Sequence, residues 1–130
     1  MTASGPENDA FAALLGIDVQ RRSAGHTVAT LITDEHHANP HGTVHGAVFY
    51  AVAGAAVAAA ANDEEHSGIV TSVQVEYLRP AAIGDVLQAE ISRDVSTERE
   101  DIFTGTVRNG DRGEVLAWVR ARGTRRARQS

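Results

Sequence analysis

The chain has 130 residues, 42% of them hydrophobic, with no cysteine and a formal net charge of −5. That length and composition suit one folded domain with a real core and exclude a disordered chain. The negative balance argues against a nucleic-acid partner. The lack of cysteine excludes disulfides and thiolate metal sites and is compatible with a reducing compartment.

In chain order, residues 1–7 read as a frayed N-terminus without the basic-then-apolar order of a signal peptide. Asn8 to Leu15 reads as a short helix: Asn8 or Asp9 can cap it, Phe11, Leu14 and Leu15 share a face, and Gly16 stops it. Ile17 to Arg22 and His26 to Thr33 alternate apolar and polar residues, as two strands do. Asp34 to Gly42 is polar and contains Pro40, so it reads as a loop. A helix then starts near Thr43 or Val44 and runs to Ala61, about 18 residues or roughly 27 Å. Its apolar run, Ala47 to Ala61, is shorter than the ~20 residues of a membrane span and is read as buried, with a cytoplasmic location. Four further strands follow: Ile69 to Leu78, Val86 to Val95, Asp101 to Arg108, and Glu114 to Gly123. All 12 basic residues are arginine, and those near the C-terminus read as a last strand followed by a basic tail over residues 125–130. A helix that is apolar nearly all round must be buried on most sides. One antiparallel sheet can do this only by curling around it, and its remaining apolar face would favour dimerisation.

The entrance to the long helix, Asn39-Pro-His-Gly-Thr-Val-His-Gly46, carries the chemistry. Free N–H groups at a helix N-terminus can hold a developing oxyanion. Gly46 has no side chain to obstruct approach to its N–H, Asn39 can hold a water or a carbonyl, and His45 can donate a hydrogen bond or carry a proton. Each residue also has a plain reading: Asn39 as a turn builder, His45 as a helix-start histidine satisfied by backbone, Gly46 as a packing position. A metal site from His36, His37, His41 and His45 is disfavoured, because Pro40, Gly42 and Gly46 prevent a shared helical face and no acidic or cysteine partner has diagnostic spacing.

Together with Tyr77-Leu-Arg-Pro80, Gly84-Asp85 and the final strand after Asn109-Gly-Asp-Arg-Gly113, this entrance resembles the hotdog-fold acyl-coenzyme A thioesterases of the phenylacetate-degradation (PaaI-like) type. The resemblance implies an α+β hotdog domain over residues 1–130, an antiparallel sheet wrapped around one central helix. It also implies hydrolysis of an acyl-coenzyme A with Asn39, His45 and Gly46 as site residues and no separate cofactor, the coenzyme being part of the substrate. A pocket completed by a second subunit of a homodimer or homotetramer is implied as well. Tyr50, Thr71, Ser72 and Arg79 are the candidate substrate-binding positions; Arg79 and the terminal arginines are candidates to steer the coenzyme's phosphates.

One element of the family pattern is missing. The resemblance places a carboxylate nine positions after the motif's histidine, to activate water or attack the thioester, and here that position is Gly54. Asp63 to Glu65 lie beyond the helix, about 13 Å along its axis for Asp63, and Glu76 is the remaining candidate, read on one face with Val70, Ser72 and Gln74. The alternative reading is a hotdog protein that binds an acyl thioester with little or no hydrolysis. A hotdog dehydratase is disfavoured, for want of an Asp-to-His pairing at the helix start.

Overall fold

The computed structural model describes residues 9–129. The expected frayed segment, and Asn8 as a cap, lie outside the described residues. The elements are α1 (Ala10–Leu15), β1 (Asp18–Ser23), β2 (His26–Ile32), α2 (Gly46–Ala60), β3 (His66–Ser67), β4 (Val70–Tyr77), β5 (Val86–Ser96), β6 (Glu100–Asn109), β7 (Val115–Thr124) and β8 (Arg126–Ala127). Six strands form one sheet in the order β1-β2-β5-β6-β7-β4, every neighbouring pair antiparallel. Helix α2 packs on its inner face, chiefly against β5, β2 and β4. This is the wrapped-helix architecture of the hotdog fold.

The core forms where α2 meets the strands. Phe103, Leu87, Ile91 and Leu116 from the sheet are fully buried beside Val52 and Val57 of the helix. Alanine fills much of the rest of α2, so helix and strands approach closely, and the buried Thr27 hydroxyl donates to the Ala56 carbonyl at 2.6 Å. The helix is not covered all round, however. Ala47, Tyr50, Ala51, Gly54 and Ala58 recur at helical spacing and stay exposed or half-buried, leaving one stripe that the chain's own sheet does not reach.

Helix α2 begins two to three residues later than its apolar pattern suggests. Thr43 and Val44 are held in extended pairings, with Ala82 and Ala38 respectively, and His45 is the N-cap. The loop before it contains a 3-10 turn, Glu35–His37, capped by Asp34. Strand β4 also departs from strict alternation. A bulge at Thr71, between the Val70–Gly123 and Ser72–Arg122 pairs, turns Val70 to the inner side with Val73 and Val75. Glu76 therefore shares its face with Ser72 and Gln74 but not with Val70, which corrects the reading from alternation. At the C-terminus, β8 pairs with β3, and Arg125 bonds the buried Asp101, so residues 125–127 are built into the fold rather than trailing from it.

Candidate active site

The loop from His37 to His45 is folded back on itself by its own polar groups. Asn39 Oδ1 accepts from the N–H groups of His41 at 2.9 Å and Thr43 at 3.1 Å, and its Nδ2 donates to Thr43 Oγ1 at 2.8 Å. This is the turn-building role; the second Nδ2 hydrogen has no partner among the described residues. Gly42 completes the turn at φ +84°, in the left-handed region where only glycine is unstrained. The His45 N–H donates to the His37 carbonyl, closing the loop at the foot of α2.

At the first turn of α2, His45 Nδ1 accepts from the Ala47 N–H at 2.9 Å, and the His45 carbonyl accepts from Val48. A ring nitrogen that accepts cannot carry the proton, so the neutral imidazole holds its hydrogen on Nε2. The Gly46 N–H, the first of the helix, has no hydrogen-bond partner among the described residues. Tyr77, at the end of β4, packs its ring edge-on against Phe49 with centroids 5.5 Å apart and donates its hydroxyl to the Gly46 carbonyl at 2.7 Å. Burial, and then the neighbouring Tyr50, push the Tyr77 hydroxyl above its ordinary value of 10.0, which keeps it a protonated donor. A Cβ at Gly46 would meet the Tyr77 ring and hydroxyl at 3.4–3.6 Å, so the glycine sits directly against this tyrosine.

A cavity of about 390 Å³ runs along the uncovered stripe of α2. Ala47, Tyr50, Ala51 and Gly54 line it from the helix, and Asp9 and Phe11 face them from the other side. A Cβ at Gly54 would meet nothing within 4 Å, so the position opens onto free space rather than allowing a tight backbone crossing. Tyr50 thus lies in the same cavity as Gly54. The other candidate binding residues do not line it. Thr71 is the exposed bulge residue, with its hydroxyl donating to the Arg122 carbonyl at 3.2 Å, and Ser72 is exposed on the outer side of β4. Arg79 is exposed and donates to the Val115 carbonyl at 2.9 Å. A larger hollow of about 480 Å³ lies on the outer side of the sheet, where Glu76 sits beside Gln74, Trp118 and Arg120. It lacks the helix N-terminus and Gly54, and Glu76 is there bonded to Gln74 at 3.0 Å.

Sequence reasoning did not assign Tyr77 or Asp9 to the site. Tyr77 was legible as an aromatic at a strand end on the core-facing register; Asp9 read only as a helix cap. The histidines disperse. His37 is buried, with Nδ1 accepting from the Asp34 N–H and Nε2 donating to the Leu15 carbonyl at 3.2 Å, which ties α1 to the loop. Asp34, Glu35 and His36 bring potential ligand atoms within 4.8 Å of one another, but all three are exposed. The Asp34 carboxyl, held below its ordinary range chiefly by the His36 N–H, serves as a cap.

Residues 41–93, which hold this entrance and the strands beside it, match the sequence profile of the thioesterase superfamily. The acyl-coenzyme A thioesterase PaaI of Escherichia coli is 34% identical over 83 residues, 64% of this chain and 59% of that protein's length. A protein of Deinococcus radiodurans described as a putative esterase is 30% identical over 130 residues, 96% of this chain and 85% of its own. The solved structure of the Escherichia coli PaaI protein from the phenylacetic acid degradation operon superposes with a TM-score of 0.85 at 27% identity, covering 92% of this chain and 86% of that one. The chain belongs to the thioesterase superfamily. Among the described residues, no helix is long and apolar enough to cross a membrane.

Proposed function

We propose that this protein hydrolyses an acyl-coenzyme A thioester at the N-terminus of α2, in the cytoplasm and as a homodimer or a pair of homodimers. The observation that carries the reading is the Gly46 N–H, unpartnered among the described residues and one residue from the cavity that runs along Gly54. As the thioester carbonyl is attacked, its oxygen gains negative charge, and an N–H at the positive end of α2 stabilises that charge. The neutral His45 offers Nε2–H as a second donor. Asn39 shapes the loop and keeps one amide hydrogen for a water or the carbonyl. Arg79 and the terminal arginines would attract the coenzyme's phosphates, an attraction that salt weakens. The similarity to PaaI supports an acyl-coenzyme A substrate. The uncovered stripe of α2, flanked by the exposed Phe11 and Leu14, supports pairing with a second copy.

Thioester hydrolysis is read as thiol release, with ligand binding measured in parallel and particle size at micromolar concentration. Gly46→Pro is the sharp variant, because it deletes the N–H itself. Proline suits the first helical position, and His45 already has the extended backbone, φ −62° and ψ 136°, that a following proline requires. Turnover should fall about 10²–10³-fold with the melting temperature little changed. Unchanged turnover in a folded variant would remove the oxyanion assignment, and a monomer would remove the pairing. A second reading rests on Gly54: with no carboxylate there, the chain binds the thioester and hydrolyses it weakly. Tight binding without thiol release above background would select it.

A further inference from the structure

The cavity lacks a carboxylate at position 54 yet is not without one. Asp9 is the one acidic residue among those that line it, and the other lining residues are apolar or glycine apart from Tyr50. Gly54 leaves the space between the helices open, since nothing lies within 4 Å of a Cβ placed there. Two other carboxylates near α2 are committed elsewhere: Asp63 is within 3.6 Å of Arg93, and Glu76 lies in the hollow on the outer side of the sheet.

Asp9 is also held in place. Its Oδ1 accepts the Ala12 N–H at 2.9 Å, while Oδ2 has no hydrogen-bond partner among the described residues. Helix α1, which it caps, is fixed at both ends. Ala12 is buried, Gly16 closes the C-terminus at φ +86°, and the His37 ring donates to the Leu15 carbonyl. The carboxylate is therefore carried on a pinned element, and Asp9 lines the cavity with one of its two oxygens unpartnered among the described residues.

We infer that Asp9 is the general base of the thioester hydrolysis proposed above, acting from α1 across the space that Gly54 leaves open. The inference rests on that hydrolytic reading. Asp9 Oδ2 takes a proton from water as the water oxygen bonds to the thioester carbonyl carbon, and the carbonyl oxygen becomes the oxyanion. Collapse of that intermediate breaks the C–S bond. The proton held on Asp9 passes to the leaving sulfur, giving a carboxylic acid and a free thiol and restoring the carboxylate.

Asp9→Asn tests this, because asparagine caps a helix as well as aspartate does but cannot take the proton. Asp9→Ser is a second cap-preserving variant. With an acyl-coenzyme A that the wild type hydrolyses, both variants should lose about 10²–10⁴-fold in kcat, with KM and the melting temperature close to wild type. Wild-type kcat in a folded Asp9→Asn or Asp9→Ser variant overturns the assignment of Asp9 and leaves the hydrolytic reading standing. A wild-type chain that hydrolyses no acyl-coenzyme A overturns the hydrolytic reading, and the role of Asp9 with it.

Discussion

The two ends of α2 are built on opposite plans. At the C-terminal end the polar groups near the last turn are answered. Asn62 donates to the carbonyls of Ala58 and Gly68, and Arg21 donates to those of Ala59 and Asn62. An arginine there also opposes the negative end of the helix dipole. Just beyond, Asp63, Arg93, Asp101 and Arg125 form a largely buried ionic cluster. At the N-terminal end the Gly46 N–H is unpartnered among the described residues, His45 is exposed, and a cavity opens along the first two turns. One end is closed by partners; at the other the first N–H has none among the described residues.

The largest effect on this contrast should come from the closed end. Asp101 is 1% exposed and accepts from Ser96 and Arg125, while its Oδ2 lies 3.8 Å from Arg93 Nη1, neither of these two atoms having another partner among the described residues. Removing one member of such a cluster strands the other charges. The arginine side chains keep 15% and 21% exposure, which places the cost of Asp101→Ala near the lower end, about 3 kcal/mol. Urea denaturation measures it, and specific activity of the folded fraction should be near wild type. A loss below about 1 kcal/mol would show that the cluster is not what closes this end.

A smaller, pH-dependent effect should appear at Asp63. Burial alone would raise its pKa, but the N–H groups of His66 and Glu65, then Arg93 and His66, outweigh it, so the carboxyl lies below its ordinary value of 3.8. A depressed folded-state pKa contributes stability that is present above 3.8 and lost as the pH falls through the lower value. The stability difference between wild type and Asp63→Asn should therefore shrink on acidification through that range. A difference that stays constant would contradict the assignment.

The smallest effect belongs to the open end. Tyr77→Phe removes the bond to the Gly46 carbonyl but keeps the ring contact with Phe49, and should cost about 1 kcal/mol in the same denaturation assay. A loss as large as that for Asp101→Ala would mean that the two ends are braced alike.

The amino-acid sequence by itself determined the succession of the main strands along the chain, the long helix and the polar entrance, because period-two alternation, an alanine-rich run and turn residues are local signals. The resemblance, counted along one helix, puts the family's carboxylate position at Gly54. Tertiary structure decided what depends on neighbours distant in the chain. The start of α2 was set by pairing of Thr43 with Ala82, the face of Val70 by an unpaired residue at Thr71, and the short β3–β8 ladder by the C-terminal segment folding back beside His66 and Ser67. The same holds for the cavity. Asp9 and Gly54 are 45 positions apart, and no periodicity relates them. They line one space because α1, capped at both ends and tied down by His37, packs beside the one face of α2 that the sheet leaves uncovered.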